Sequence, residues 1–399
     1  MLRIYLPREI AAKKALTFYA AFDINMSFQT GKVESSYMKA KFNSDSHPLA
    51  KAALALPLLC APLVSPAATL FSDNFNVNNS AAWTINVAPT ANGSLQDATW
   101  AFDYSLFGIP AAPGSIDTLG LRLRSNIPGG AASPVTTRPA GVLSGLSVSP
   151  TGQDFGTSYH LSFYSWVNFN GAANASGLAD NGASEGGTHN VLFAVGTSGT
   201  VPLVVGNTGL ASGGQMDGIA FATTGDGGIT SDYRAYLKSG TIAAPGSGVY
   251  AAGSSANTAP YYTNMVTLAP HSAPAVQQAL STAEYGGDAF NTQAGQTQIG
   301  AFGFAWHKVD IYKDGNTVSW TIDDTSIATA DISGLGALGG NNIALGDSDV
   351  NATTTRHPSL LFTLVDNLTV TTIPEPSATA LIGVGLAALL AKSRRVAKR

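Results

Sequence analysis

The stretch HKVDIYKDGNTVSWTI, residues 307–322, carries the clearest structural signal in this chain. Two runs, 307–313 and 317–322, contain β-branched and aromatic residues and flank Asp314-Gly315-Asn316. Asp-Gly tolerates a positive φ, so this pattern is typical of two antiparallel strands joined by a tight turn. We therefore predict a β-hairpin here, and with it an antiparallel sheet.

A second strand signal lies at residues 159–169, where two sets of side chains alternate. A strand directs successive side chains to opposite faces, so the alternation predicts one apolar face and one polar face. The first set is Tyr159, Leu161, Phe163, Val167 and Phe169, and the second is His160, Ser162, Tyr164, Trp166 and Asn168. Other predicted strands cover residues 70–75, 83–87, 99–104, 343–345 and 360–370, and one helix is predicted at 275–285.

Composition and spacing place the body of the chain, residues 69–372, in the all-β class. Gly, Ala, Ser, Thr and Asn abound, and helical apolar periodicity is nearly absent. Residues 171–300 hold many turn signals, which predict variable loops. We predict an antiparallel β-sandwich with long Gly-, Ala- and Ser-rich loops. One sandwich with insertions and two smaller sandwiches both fit this pattern.

Three segments of the body resemble the concanavalin A-like (laminin-G-like) jelly rolls. They are Asp73-Asn74-Phe75 near the start, residues 306–322, and Val365-Asp366-Asn367-Leu368-Thr369-Val370 at the end. The resemblance implies that the first and last strands pair, and that a long hairpin precedes the closing strands.

The final residues, 373–399, have the three parts of a sorting tail. Pro374-Glu375-Pro376 precedes an apolar run at 377–391, and five cations follow, namely Lys392, Arg394, Arg395, Lys398 and Arg399. As a helix this run is about 22 Å long, which is short of the roughly 30 Å core of a bilayer. The tail therefore predicts a C-terminal hydrophobic helix that anchors transiently in the inner membrane, with the cations on the cytoplasmic side.

This tail resembles those of the PEP-CTERM family of exported proteins, found in Gram-negative bacteria that make extracellular polysaccharide. The resemblance implies that Pro374, Glu375 and Pro376 form the sorting motif and that a membrane enzyme, exosortase, processes it. It also implies a final location at the cell surface or in the extracellular matrix. The resemblance covers the tail only and leaves the role of the body open.

Residues 38–68 have the layout of a signal peptide. Lys39, Lys41 and Lys51 precede an apolar stretch at 52–64, and Ser65-Pro66-Ala67-Ala68 supplies small residues for cleavage. We predict a signal helix that is cut after Ala67 or Ala68. Met38 lies at a natural distance upstream, so residues 1–37 are interpreted as a disordered segment from a misassigned start.

The charge and cysteine content of the body exclude several classes of function. Residues 69–373 hold 20 Asp and Glu against 8 Lys and Arg, a net charge of −12. Nucleic-acid binding requires a basic face, so this class is excluded. The single cysteine, Cys60, lies in the predicted signal peptide, which leaves no thiol for catalysis or for metal binding in the mature body.

Catalytic motifs are lacking in the sequence, and we predict that the protein is not an enzyme. Glycoside cleavage needs two facing carboxylates, and the two glutamates of the body, Glu185 and Glu284, lie in predicted loops. Asp310 and Asp323 are interpreted as solvent-facing hairpin residues. A polysaccharide-acting enzyme on a jelly-roll scaffold and a purely structural surface protein remain the alternatives.

Asp347 and Asp349 form the best candidate for a metal site, and calcium is the ion that they favour. With Asn351 nearby they offer the hard oxygen ligands that calcium prefers. The alternative is that they are turn residues at the end of a strand, which accept local backbone hydrogen bonds. No other cofactor is predicted.

Tyr164, Trp166 and Asn168 form the candidate carbohydrate site. They lie on the polar face of the 159–169 strand, and aromatic rings beside amide groups hold sugars by stacking and hydrogen bonding. The alternative is that a covered outer face makes them core. The other tryptophans of the body, Trp83, Trp100, Trp306 and Trp320, are predicted core anchors. The body is thus predicted to be a lectin-like, non-enzymatic sandwich with an exopolysaccharide partner.

Overall fold

The computed structural model describes residues 66–88, 95–127, 144–170, 189–206, 215–227, 231–238, 240–285, 293, 295–350 and 358–374. All of them belong to one compact unit, Pro62–Arg399. The predicted start segment, almost all of the signal peptide and the tail beyond Pro374 lie outside these residues.

Strands dominate the described residues, as the composition predicts. They are Thr69–Asp73 (β1), Trp83–Val87 (β2), Leu95–Asp103 (β3), Leu119–Ile127 (β4), Ser144–Pro150 (β5), Ser158–Asn168 (β6), His189–Thr197 (β7), Ile219–Thr224 (β8), Tyr233–Tyr236 (β9), His307–Asp314 (β10), Thr317–Ile322 (β11), Thr325–Asp331 (β12), Asn342–Asp349 (β13) and Phe362–Thr371 (β14). The α-helices are Pro260–Thr263 (α1) and Val276–Tyr285 (α2), and short 3₁₀ turns lie at Ser80–Ala82, Tyr104–Phe107, Val266–Leu268 and Pro358–Leu360. None of the described helices combines the length and the apolar character needed to cross a bilayer.

The strands form two antiparallel sheets. Sheet A has eight strands in the order β12-β11-β10-β6-β14-β4-β3, with β1 paired to β14 beside this path. Sheet B has six strands in the order β2-β5-β13-β7-β8-β9. The two sheets pack face to face over one large apolar cluster, so the prediction of an antiparallel β-sandwich is confirmed.

The predicted hairpin is formed by β10 and β11. Their register runs from Val309 opposite Ile322 to Asp314 opposite Thr317, which leaves a two-residue turn. Gly315, the first turn residue, has φ 53°. A positive φ at this position suits the twist of the two strands and favours glycine.

The alternation along β6 also matches the structure. Tyr159, Leu161 and Phe163 point between the sheets and are fully buried. Phe163 contacts Phe193 of sheet B with ring centroids 4.8 Å apart. Trp320 lies at the centre of the same core, stacked on Phe221 at 5.2 Å.

The loop prediction for residues 171–300 is wrong in three places, because β7, β8 and β9 lie within it. Every residue of these strands is buried, since sheet B is covered on both faces. Its outer face packs against a second apolar cluster that includes Leu203 and Val205. A strand buried on both sides shows no alternation of polar and apolar residues, so the period of two that marks a half-buried strand is missing from its sequence.

The first and last strands pair, as the jelly-roll resemblance implies. Thr69 lies opposite Thr371, and Asp73 lies opposite Leu368. This pairing places both ends of the described chain side by side, at the end of β14.

Candidate functional site

The outer face of sheet A carries a half-exposed group of polar and aromatic side chains. It is contributed by two neighbouring strands whose outward residues pair directly across the sheet. We call this group the open face, and it consists of His160, Ser162 and Tyr164 of β6 with Tyr312, Asp310 and Lys308 of β10, paired in that order.

Two rings of the open face stack on one another. His160 and Tyr312 lie 4.0 Å apart between ring centroids, with an interplanar angle of 3°. The Nε2 of His160 donates to the Oδ1 of Asp310 at 2.7 Å, which fixes the orientation of the imidazole. Tyr312 remains 39% exposed, and its ring is held at the surface by these contacts.

Asp310 is the charged centre of the open face. Its carboxylate also lies 3.0 Å from the Nζ of Lys308, and that ammonium group lies 3.4 Å from Asp324. Burial acts to raise the pKa of Asp310, but hydrogen bonds from His160, Ser162 and Lys308 outweigh it, so the pKa lies below its usual value. Asp310 is therefore an ionised, fully engaged carboxylate at neutral pH.

The prediction that Asp310 and Asp323 face solvent is wrong. Asp310 is buried beneath its three donors. Asp323 accepts from the Nδ1 of His307 at 2.7 Å and from the backbone N–H of Lys308 at 2.9 Å. Both carboxylates hold the hairpin in place.

Hydroxyl groups from the flanking strands widen the open face. On β14, Thr369 lies opposite Ser162 and Thr371 lies opposite His160. On β11, Ser319 lies opposite Tyr312. Together with these hydroxyls, the surface around the open face is four strands wide, or about 14 Å across at a strand spacing of about 4.8 Å. It offers aromatic rings, hydroxyl groups and one fixed ion pair.

Trp166 and Asn168 do not belong to this exposed surface, and their prediction as carbohydrate contacts is corrected. Trp166 is 4% exposed and Asn168 is fully buried. The indole Nε1 donates to the Oδ1 of Asn168 at 3.3 Å, and the Nδ2 of Asn168 donates to the backbone carbonyl of Leu360 at 2.6 Å.

Other segments of the chain cover the outer face of sheet A around Trp166 and Asn168. Trp166 packs in a third apolar cluster with Tyr104, Phe304 and Phe362. Gln277 of α2 closes the layer by hydrogen bonding to Asn168. Of the predicted trio, Tyr164 alone remains partly exposed.

The other tryptophan predictions hold with one exception. Trp83, Trp100 and Trp320 are buried in the core between the sheets. Trp306 is only partly buried, and it lies on the third cluster with its Nε1 donating to the carbonyl of Pro110 at 2.8 Å.

Asp347 lies between the two sheets at one end of the sandwich. Its Oδ1 accepts from the hydroxyl of Ser125 at 2.5 Å, and its Oδ2 accepts from the hydroxyl of Thr363 at 2.8 Å. The Nδ1 of His189 lies 3.3 Å away. The carboxylate of Asp347 is thus contacted by side chains from three strands, β4 and β14 of sheet A and β7 of sheet B.

Asp349 lies two residues further along β13 and is also buried. Its Oδ2 lies 3.7 Å from the Nε2 of His189. Within the described part of the chain, no group of three or more His, Cys, Asp or Glu is placed to hold a metal ion. The structure therefore shows the predicted calcium pair, Asp347 and Asp349, as buried partners of protein donors.

Asp366 is a further buried carboxylate, at the bulge of β14. It accepts from the hydroxyls of Tyr104 at 3.0 Å and Ser115 at 2.8 Å. Burial raises its pKa to about 6, and these hydrogen bonds offset only part of the effect.

Several of these residues escaped the sequence analysis. Tyr312 and Lys308 alternate with the buried Val309 and Ile311, so the period used for residues 159–169 would have found them in the hairpin. Ser125 offered no signal, because its partner Asp347 lies 222 residues away.

The sorting motif lies at the boundary of the described residues. Pro374 is exposed, immediately after the last strand. Glu375, Pro376 and the five cations, Lys392, Arg394, Arg395, Lys398 and Arg399, lie outside the described residues.

Comparison with protein families identifies the tail. The model of the PEP-CTERM protein-sorting motif matches residues 372–395, which confirms the resemblance noted in the sequence. The chain therefore carries the sorting signal of an exported protein that is processed by an exosortase-type system. No curated protein matches the chain.

Three solved structures are similar to this chain over about three quarters of its length. A protein of unknown function with a galectin-like fold from Bacillus subtilis is 7% identical and covers 76% of this chain and 97% of its own, with a TM-score of 0.35. A Bacillus licheniformis β-glucanase is 10% identical and covers 76% of this chain and 97% of its own, with a TM-score of 0.32. The exoplasmic/lumenal domain of VIP36, in a Ca²⁺- and Man-bound form, is 8% identical and covers 74% of this chain and 83% of its own, with a TM-score of 0.30.

Proposed function

We propose that this protein is exported through its signal peptide, sorted at the membrane through its tail, and displayed at the surface of a Gram-negative cell, where the open face binds polysaccharide. The observation that carries this proposal is the half-exposed pair of rings, Tyr164 and Tyr312, set among fixed hydrogen-bonding groups. Sugar rings stack on aromatic faces and take their orientation from a few well-placed polar contacts.

The shape of the open face favours an extended polymer over a small sugar. Tyr164 and Tyr312 lie on adjacent strands and are offset by four positions along β6, because Tyr312 pairs with His160. At about 3.3 Å per residue and 4.8 Å per strand, their Cα atoms are about 14 Å apart. Two rings at this separation contact different units of one chain.

Charge favours an uncharged or amine-bearing polymer. The body has a net charge of −12, so it repels acidic polysaccharides at low salt. Lys308 does not offset this repulsion, because Asp310 and Asp324 both pair with it. Exopolysaccharide of the producing cell is the partner that this chemistry and location favour.

Binding without cleavage fits the state of the carboxylates. Glycoside hydrolysis needs an acid with a raised pKa and a second carboxylate on the other side of the scissile bond. Asp310 is ionised and held by three donors. Asp366 has a raised pKa, but it is buried beneath Tyr104 and Ser115.

Pull-down of the exported protein on insoluble neutral and acidic polysaccharides tests the proposal. We expect retention on a neutral polymer, and a loss of at least fivefold in affinity for Tyr312→Ala and for Tyr164→Ala. Tyr261→Ala is the matched control, because Tyr261 is similarly exposed, at 37%, and belongs to α1 rather than to the open face. Equal retention of all variants would contradict the proposal.

A reducing-end assay on the same samples separates binding from catalysis. We expect no release of reducing ends from any retained polymer. Release that persists with purified protein would instead establish the alternative, a polysaccharide-cleaving enzyme. Absence of retention on every polymer would favour a purely structural role.

A further inference from the structure

A cleft of about 400 Å³ lies at one end of the sandwich, and none of its lining residues belongs to the open face. Three loops border it: the approach to β6 at Thr157, the hairpin turn at Gly315-Asn316, and the segment 332–341 between β12 and β13. This volume lies in the range of sites that take one small ligand.

Lys313 lines the cleft from a core-facing position of β10. Val309 and Ile311 share its side of the strand and are fully buried, and Lys313 itself is 4% exposed. Its Nζ donates to the carbonyl of Thr157 at 2.9 Å and lies 5.9 Å from the centroid of the Tyr159 ring. An apolar side chain would fill this position without the cost of desolvating an ammonium group.

The ammonium group of Lys313 has more donors than the protein uses. It carries three N–H donors, and among the described residues it finds one acceptor, the carbonyl of Thr157. No described carboxylate lies within 4 Å of it, whereas Lys308 has two such partners. Burial lowers the pKa of Lys313, and the more distant charges of Asp154 and Asp314 offset only part of this effect. Lys313 therefore has hydrogen bonds to offer to a ligand in the cleft.

A second lysine reaches the same loop. The Nζ of Lys238 donates to the carbonyl of Ala337, and it lies 3.9 Å from the position that a Cβ of Gly336 would occupy. Within the described residues, Lys238 also has no carboxylate within 4 Å. Salt screens charges over about 8 Å at physiological ionic strength, so the two ammonium groups act locally although the body has a net charge of −12.

The carboxylates beside the cleft are engaged with their own loops. Asp314 accepts from the hydroxyl of Ser158 at 2.9 Å, and Asp331 accepts from the backbone N–H of Ser333 at 2.9 Å. Asp154 accepts from the backbone N–H two residues further on, also at 2.9 Å. They leave the Lys313 ammonium unpaired, and their charges disfavour a ligand with more than one negative charge.

The rest of the lining suits a sugar ring. Asn316, Ser333 and Asn341 line the cleft, and side chains of these types both donate to and accept from hydroxyl groups. Ile332 and Leu338 line it as well and offer apolar contacts to the C–H groups of a ring. A few polar groups among apolar ones are typical of small-molecule sites.

We propose that this cleft binds a single sugar acid, with the carboxylate of the ligand on the Nζ of Lys313 and its hydroxyls on the amide and hydroxyl side chains of the lining. A carboxylate and an ammonium group form charge-assisted hydrogen bonds, which are stronger than neutral ones. Lys238 adds a second positive charge to the approach. This site is independent of the proposed function, because the open face takes the length of a neutral polymer and the cleft takes one acidic unit.

Saturation-transfer NMR on the full chain, purified in mild detergent, tests the choice of ligand. We expect D-galacturonate to bind at least tenfold more tightly than D-galactose, which lacks the carboxylate. We also expect equimolar sulfate to leave galacturonate bound. Equal binding of the two sugars, no binding of galacturonate, or its displacement by sulfate would each overturn the proposal.

Three variants locate the binding. Lys313→Met keeps the length of the side chain and removes a buried charge, so it should fold and bind galacturonate at least tenfold more weakly. Lys238→Met should weaken binding at least threefold, and it keeps the test decisive if Lys313→Met does not fold. Arg124→Gln is the matched control, because it removes one positive charge from a residue that pairs with Asp97 and does not line the cleft. Unchanged binding in Lys313→Met, or an equal loss in Arg124→Gln, would refute the site.

Discussion

At the scale of single residues, buried carboxylates contribute to the stability and the arrangement of the body. Asp310, Asp347 and Asp366 all lie inside the fold, and each accepts a hydrogen bond from a side chain that lies far away in the sequence. Removing one partner from a buried charge costs more than the bond itself contributes, because the charge stays desolvated. These carboxylates therefore fix the relative positions of segments that are distant in the sequence and that no local pattern relates to one another.

Ser125→Ala tests this at Asp347. The change deletes the hydroxyl that donates at 2.5 Å and leaves the buried carboxylate with fewer donors. We expect the free energy of unfolding to fall by about 1–3 kcal/mol, measured by urea denaturation. Ser319→Ala, on the partly exposed open face, is the matched control and should change stability by less than about 0.5 kcal/mol. Equal effects of the two changes would contradict the role assigned to Ser125.

Contacts of this kind could not be predicted from the sequence, because they join residues that are far apart in the chain. Tyr164, Asp347 and Asp349 were singled out in the sequence by residue type. Their surroundings were not predicted, since burial depends on segments far away in the chain. Trp166 illustrates the point, because the layer that covers it includes Tyr104 and Phe304 from opposite halves of the body.

At the scale of elements, β6 and the β10–β11 hairpin were predicted, whereas β7, β8 and β9, which are buried on both faces, were not. β6 and the β10–β11 hairpin have a polar outer side, so their period is visible in the sequence. β7 is buried throughout, and β13 extends over Asp347 and Asp349, which resemble turn residues. Burial on both faces removes the alternation that identifies a strand.

The turn of the hairpin provides a prediction at this scale. Gly315 has φ 53°, and a Cβ placed there would meet no atom within 4 Å. Gly315→Val therefore adds conformational strain without a steric clash against neighbours, and we expect a loss of about 1–2 kcal/mol in unfolding free energy. Gly334→Val, where φ is not positive and a Cβ is equally unobstructed, is the control. A loss of similar size at Gly334 would show that the turn geometry is not the cause.

At the scale of the whole molecule, the tail was the most predictable part, because a sorting signal is linear and is read without folding. The sandwich followed from composition and from a few strong strands. The open face needed the pairing of β6 with β10, which brings together residues 150 positions apart. Function at a surface thus depends on the register of the sheet, which no local pattern specifies.

The acidic groups of the whole body together predict how stability depends on pH. The pKa of Asp366 is raised to about 6, mainly by burial, and that of Asp226 is raised to about 7 by burial and by the charge of Asp232. A raised carboxyl pKa contributes stability at low pH that is lost as pH rises through the folded pKa. Hydrogen bonds lower the pKa of Asp310 and Asp323 against the effect of burial, and they contribute stability that is lost as pH falls below about 4.

We therefore expect the melting temperature to be highest near pH 4, to fall as the pH rises to about 7 and to fall again below pH 4. One pKa unit is worth about 1.4 kcal/mol, and with a discount for solvent screening we expect Asp366 to account for about 1–2 kcal/mol of the alkaline loss. Asp366→Asn cannot ionise, and its amide can still bond to the hydroxyls of Tyr104 and Ser115. It should therefore raise the melting temperature at pH 8 while leaving the value at pH 3.5 nearly unchanged. Scanning calorimetry across this range measures both, and a parallel shift of the whole curve would show that the ionisation of Asp366 is not what destabilises the body at alkaline pH.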